Sequence, residues 1–325
     1  MFDFTHIFIG IHTSLAIVGC FFNLFLIYLA LFRTPRVIRS YTTLIINFAI
    51  TDFFACFFDL FVEQRIIPAG TTLGYISSGI CKHFGPRACY IGYSLMLHCL
   101  SHSLWSLLLS FSYRYYILFK PAPSRLFNAI IIFIIYQFSF FQFVSFLWAF
   151  DDPEEIREIL HQKFPHYELS GVVTGTKNII NFSALFTILH MTVPITPVYI
   201  CILILRRLIK KRLSVKGISV TKDTKNMHTQ LLMALTYQAV IPGFYFFSVI
   251  SYTIGQLGIY NHPALEYFTF SSVLFIPVFS PLASFVFVTP YRKFLIRLFY
   301  KIAQVEYIET SLSYIRGTSQ VAAIG

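Results

Sequence analysis

ACYIGYSLMLHCLSHSLWSLLLSFSYRYYILFKP, residues 88–121, carries no acid and no base from Cys89 to Tyr113 apart from His98 and His102, and then meets Arg114. A helix needs about 20 consecutive apolar residues to cross the hydrocarbon of a bilayer. This run is long enough, and it ends in the Arg, Lys and aromatic residues that mark a membrane–water boundary. The rest of the chain agrees with that reading. Of 325 residues, 56% are hydrophobic and only 12% are charged, with 38 Phe and 20 Tyr, and the mean hydropathy is +0.69. A soluble domain carries about 25% charged residues. Half that leaves too little polar surface for a water-soluble globule, so the sequence specifies an integral membrane protein.

Six further runs resemble the first. The spans read as 6–32, 41–62, 84–113, 126–150, 179–205, 230–257 and 265–288. Each is continuous and long, where a barrel strand would alternate over about ten residues. The expected fold is an all-α membrane protein, a seven-transmembrane helix bundle over residues 1–304, with a flexible tail over 305–325. Within YRKFLIRLFYKI, about 291–302, basic and aromatic residues fall at helical spacing, which predicts an amphipathic helix lying on one membrane face.

Loop charge gives the expected orientation. Segment 33–40 holds Arg33, Arg36 and Arg39, segment 114–125 holds Arg114, Lys120 and Arg125, segment 206–229 holds eight bases, and the tail holds five. These four regions share one side and carry 19 of the 25 bases. The opposite side includes the acidic segment 151–178, with Asp151, Asp152, Glu154, Glu155, Glu158 and Glu168. By the positive-inside rule the amino terminus lies outside and the carboxy terminus inside. The first run has no basic residues before it and is too long for a signal core, so it reads as a signal anchor. A net charge of +11 distributed this way fits topology and anionic lipid, and nucleic acid is not an expected partner. The cluster RRLIKKR at 206–212 has a second reading, as a docking patch for a cytosolic protein.

Cys20, Cys56, Cys99 and Cys201 lie within spans and read as small core residues. Cys81 and Cys89 both fall at the outer end of the third span, on the oxidising side, where a local disulfide can form. His161 and His166, on the hydrophilic acidic segment, read as solvated surface. His98 and His102 have the spacing of metal ligands on one helix face, but no acid lies near them in sequence, and a packed or pocket-lining pair is the simpler reading. The motifs of zinc peptidases, serine hydrolases and phosphate-binding loops are absent, so neither an enzyme nor a cofactor is expected.

Polar residues at bilayer depth are costly and usually have a task. Asp52 lies near the middle of the second span and Asn23 is comparably deep in the first. Asn47-Phe48-Ala49-Ile50-Thr51-Asp52 resembles the Asn-Leu-Ala-x-x-Asp stretch of rhodopsin-like receptors, and Tyr113-Arg114-Tyr115 occupies the place of their Asp/Glu-Arg-Tyr triplet. Ser280-Pro281-Leu282-Ala283-Ser284 stands where that family has Asn-Pro-x-x-Tyr. Pro242 matches a sixth-helix kink proline, without the Trp that precedes it there. Without an acid at 113, Arg114 either snorkels to lipid phosphate or works as a coupling residue. The nearest inner-loop acid, Asp223, is its expected resting partner.

Those departures, together with Arg65-Ile66-Ile67-Pro68, Gly79-x-Cys81 with Gly85-Pro86, SFSYRYYIL at 110–118, KDTKNMHTQLLMALTYQAVIP at 222–242 and FVTPYRKF at 287–294, resemble the nematode serpentine chemoreceptors, in particular serpentine receptor class delta. The resemblance runs from Asn23 to about Phe299. It implies a G-protein-coupled chemosensory receptor of a sensory neuron's plasma or ciliary membrane. Such a receptor binds a small odorant or pheromone-like ligand outside and signals to a heterotrimeric G protein inside. Its pocket is expected in the outer half among the third, fifth, sixth and seventh helices. Candidates by depth are His98, His102, Trp105, His190, Tyr252, Gln256, Tyr267 and Thr269, and Asn23, Asp52, Arg114, Asp223, Pro242, Ser280 and Pro281 are the expected switch residues. The rivals are a ligand-gated cation channel with an inward amino terminus, a transporter, and a membrane enzyme.

Overall fold

In the computed structural model of the chain, residues 4–34, 41–214, 222–241, 243–298, 300, 301 and 304 are described. Seven apolar helical stretches among them are long enough to cross a membrane. The first four are single helices: α1 (Phe4–Phe32), α2 (Thr42–Val62), α3 (Pro86–Tyr116) and α4 (Arg125–Leu147). The fifth is split into α6 (Phe182–Thr192) and α7 (Ile195–Ser214), with Pro194 at the junction, where a missing N–H and a ring clash interrupt the ladder. The sixth is split into α8 (Lys222–Gln238) and α9 (Gly243–Gln256), and the break brackets Pro242, which lies outside the described residues. The seventh is α10 (Pro263–Phe287), and a further helix, α11, covers 289–298. Of the expected amphipathic helix at 291–302, Phe299 and Ile302 lie outside the described residues, as does the tail from 305.

The sequence pattern explains which helix sits where. Helix α3 is the least apolar of the seven, and it is the most buried, touching α2, α4, α7 and α8. Its histidines and all of its serines except Ser112 are hidden among neighbouring helices. Helix α4 is more apolar and mostly exposed, with Phe133, Phe138, Phe141 and Trp148 facing outward, as a lipid-facing helix should. Helix α1 lies between α2 and α10.

One end of the bundle carries an element absent from the sequence reading, a three-stranded antiparallel sheet of order β1 (Gln64–Ala69), β2 (Thr72–Ser77), β3 (Val172–Thr176). The two-residue turn between β1 and β2 needs Gly70, whose φ is +69°. Strand β3 comes from the acidic segment, along with α5 (Pro153–Lys163). Asp152 caps α5 by accepting from Glu154 N at 3.0 Å, and Glu154 and Glu155 in the first turn suit the helix dipole. Ile156 and Leu160 of α5 are fully buried against Ile67, Ile76 and Val173. Burying each contributes roughly 1.5–3 kcal/mol. Gly74 in β2 makes room for Leu160, because a Cβ there would come within 2.5 Å of Leu160 Cδ1. Both faces of β1 and β2 are covered, so the polar alternation that advertises a half-exposed strand is missing. A disulfide joins Cys81, in a 3-10 turn over Ile80–His83, to Cys89 in the first turns of α3.

Candidate functional site

Beneath the sheet the helices leave a cavity holding about 640 Å³ of atom-free space, its mouth included. The roof is made by Ile66, Leu73 and Tyr75 of the sheet. Tyr93, Leu97 and Leu100 of α3 form one wall, and Thr187, Ile188, Met191 and Thr192 of α6 another. Tyr245, Ser248, Val249 and Tyr252 line it from α9, Thr269, Phe270 and Val273 from α10, and Phe146 of α4 closes a corner. A mostly apolar lining with a few polar groups is the usual character of a small-molecule site.

Of the eight residues picked out by depth, Tyr252 and Thr269 border this cavity. His98 and His102 point instead towards α2 and α4: Tyr136 lies edge-on to both rings, and His102 Nε2 is 3.1 Å from Asn47 Oδ1. Trp105 packs near Phe138, and His190 Nε2 bonds Ser101 Oγ at 2.9 Å. Gln256 donates to the Gly70 carbonyl and so ties α9 to the turn of the lid. Tyr267 is buried and stacked on Phe8 at 5.0 Å. The lining residues that depth alone did not indicate are mostly ordinary apolar and hydroxyl residues. Their only signal is convergence in space.

A charged clamp fastens the roof. Arg65 of β1 places Nε 2.8 Å and Nη2 2.7 Å from Glu266 Oε2 on α10, and both side chains are buried. The guanidinium carbon lies 5.2 Å from the Tyr167 ring centre and 5.3 Å from that of Tyr267, so two aromatic faces flank the charge. Tyr167 lies outside the spans, and burial and the nearby Glu266 carboxylate raise its phenol above the ordinary range, keeping it protonated. Nearer the membrane, His12 Nδ1 meets both oxygens of Asp59 at 2.9 and 3.0 Å, and its Nε2 lies 3.0 Å from Ser271 Oγ. This buried chain stitches α1, α2 and α10, and Thr13 adds a 2.6 Å bond to Glu63. The sequence alone did not single out Asp59, Glu63 or Glu266, whose partners lie 47, 50 and 201 positions away.

Deeper still, Ser103 Oγ donates to Asp52 Oδ1 at 2.9 Å, and the Ser280 hydroxyl is close enough to bond the same carboxyl group. Gln238 of α8 donates to both the carbonyl and the hydroxyl of Ser280 at 3.2 Å. Asp52 therefore joins α2, α3, α8 and α10. A smaller void bordered by Ser103, Gln238 and Ser280 shares two walls, Leu100 and Tyr245, with the large cavity. Asn23, the deep polar residue of the first span, meets α10 at a proline. Pro281 has no N–H, so the Pro277 carbonyl lacks its helical partner, and Asn23 Nδ2 donates to that oxygen at 3.0 Å.

At the far end of α3, Arg114 is buried rather than extended to a lipid surface, and its guanidinium carbon lies 3.7 Å over the centre of the Tyr41 ring. Tyr41 in turn packs against Tyr113 at 5.6 Å. The expected partnership with Asp223 concerns a side chain outside the described residues. Near the same end Tyr291 bonds Thr34 Oγ1 at 2.7 Å, tying α11 to the end of α1.

Comparison with known proteins gives a consistent picture. The family model described as Serpentine type 7TM GPCR chemoreceptor Srd matches residues 8–297. Serpentine receptor class delta-19 of Caenorhabditis elegans is 45% identical over 287 residues, 87% of this chain and 85% of that one. Serpentine receptor class delta-1 of the same organism is 35% identical over 302 residues, covering 90% and 81%. Among solved structures, squid rhodopsin superposes with a TM-score of 0.62 at 14% identity, covering 90% of this chain and 80% of that one. At that identity the likeness concerns the fold.

Proposed function

The chain belongs to the Srd family of serpentine seven-helix chemoreceptors, and from that premise we propose that it binds a small external molecule in the cavity under the sheet and signals to a heterotrimeric G protein at the opposite end. The observation that carries the reading is the cavity itself, enclosed by α3, α6, α9 and α10. Ligand volume inserted between these helices changes their spacing, and the Leu100–Tyr245 floor separates it from the residues that bind Asp52. At the other end Arg114, held over Tyr41, supplies a cation that a partner can recruit once the helices part.

This reading requires the amino terminus outside and the basic loops inside. The distribution of 19 of the 25 bases supports that orientation. An amino-terminal tag on the full chain should be stained on intact cells and a carboxy-terminal tag only after permeabilisation. The same cells, screened with volatile and water-soluble compounds and read by calcium, should respond to a subset, and responses should vanish when G-protein activation is blocked. A reversed tag pattern, or responses indifferent to that block, would remove the receptor reading in favour of a ligand-gated channel.

A further inference from the structure

We infer that the cavity takes an uncharged amphiphile, a hydrocarbon body bearing an oxygen function such as a ketone, alcohol or ester, with the oxygen towards Tyr75, Tyr93 and Tyr252 and the hydrocarbon towards Leu97, Leu100 and Val273. This rests on the cavity being the ligand site, as proposed above.

The exclusion of charge follows from the walls. Among the described residues, no Asp, Glu, Lys, Arg, His, Asn or Gln borders the cavity. The nearest ion pair, Arg65 with Glu266, is already engaged with itself. A carboxylate or ammonium ligand would shed its water and find no counter-charge to replace it.

The oxygen function follows from which hydroxyls are committed elsewhere. Thr187, Thr192 and Thr269 donate to the carbonyls of Ser183, Ile188 and Leu265 in their own helices, at 3.0, 2.7 and 3.2 Å. Tyr245 points its hydroxyl at Met191 Sδ, 3.9 Å away. The phenols that remain cluster at the roof. Tyr75 and Tyr93 have ring centres 4.7 Å apart and are close enough to bond one another through their hydroxyls, and Tyr252 is near enough to interact with both, so one O–H of the pair and that of Tyr252 are left to offer a ligand. A phenol both donates and accepts, so it serves a ketone, an ester or an alcohol. Further from the lid the wall is Leu97, Leu100 and Val273, which offers hydrocarbon only.

The test uses the full-length protein in zwitterionic nanodiscs and four seven-carbon probes: 2-heptanone, heptane, heptanoate and heptylammonium. The readout is a saturable rise in the thermal unfolding midpoint. Two variants fill the cavity, Val273→Phe and Ser248→Leu, so that a misfolded one does not decide the result. Two others remove a roof hydroxyl, Tyr93→Phe and Tyr252→Phe. We expect 2-heptanone to stabilise the wild type, both filled variants to lose the response, and at least one phenylalanine variant to weaken apparent affinity by about 3- to 10-fold, the worth of one hydrogen bond. If heptanoate or heptylammonium stabilises as well as the ketone and the filled variants abolish it, the inferred ligand class is wrong while the cavity remains the site. Heptane matching the ketone, with no effect of either phenylalanine variant, overturns the role of the roof phenols. No stabilisation by any probe overturns the inference for molecules of this size. A ketone response that survives both filled variants places binding elsewhere and removes the proposed site as well.

Discussion

Replacing Glu266 by Gln leaves the shape of the lid clamp almost unchanged while removing the charge that Arg65 needs. In the closed lid the guanidinium would then be buried, its side chain 5% exposed, with two tyrosine faces and no anion. The aromatic faces supply about 0.5–2 kcal/mol, too little to replace the carboxylate. Breaking one side of a buried pair costs about 3–5 kcal/mol. That cost falls on the closed lid alone, because in an open lid Arg65 is hydrated. The opening equilibrium should therefore rise on the order of 10²- to 10³-fold, at about 1.4 kcal/mol per decade. Amide exchange in β1 and β2 reads it directly, since the antiparallel ladder from Gln64↔Ser77 to Ala69↔Thr72 must separate for exchange. The double variant Arg65→Met with Glu266→Leu should recover most of the protection, because it removes both charges and keeps the volume. Exchange in Glu266→Gln within about threefold of wild type would refute the reasoning, showing that the disulfide-tethered segment and α5 hold the roof without the ion pair.

Three further outcomes are expected. Asp52→Asn can still accept from Ser103, so it should reach the surface at near wild-type levels while its signalling changes in strength or in sodium or pH dependence; ligand responses across those conditions check this, and unchanged responses would reduce Asp52 to a packing residue. Arg114→Lys should also reach the surface but lose the planar contact with Tyr41, and agonist potency should fall by up to about 30-fold if the contact is worth ~2 kcal/mol; wild-type potency would leave the arginine as an anchor only. Replacing both Cys81 and Cys89 by Ser opens a loop with a sequence separation of 8 and should lower stability by roughly 2–3 kcal/mol on the chain-entropy account, read by denaturation with and without reductant.

The spans could be read from the chain because bilayer thickness imposes a length that composition alone reveals. Arg114 and Asp52 stood out for the same reason, as polar groups where hydrocarbon is expected. The lid was not legible. Its strands are short and covered on both faces, and the first contains a proline, Pro68, a residue that argues against a strand. Depth along a helix also failed to separate the cavity wall from the helix–helix seams. His98 and Tyr252 were both expected in the outer half of their spans, yet one faces α4 and the other the cavity, and helical rotation is set by neighbours that a single sequence does not display. Partners such as Arg65 and Glu266, or His12 and Asp59, are separated by 201 and 47 positions and needed the fold to bring them together.

The bond from Asn23 to the Pro277 carbonyl makes positions 23 and 281 depend on each other. Proline at 281 creates a vacancy in the hydrogen-bond ladder, and the amide at 23 fills it from another helix. A substitution that restored an N–H at 281 would let α10 satisfy its own carbonyl, and Asn23 would become replaceable by an apolar residue at little cost. With proline retained, the same loss at 23 strands a buried acceptor, worth about 1–3 kcal/mol. The two sites are thus epistatic in one direction. Tolerance at residue 23 is conditional on a residue 258 positions away in the sequence, and a library varying both together would show that dependence where single-site scans would record only an intolerant asparagine.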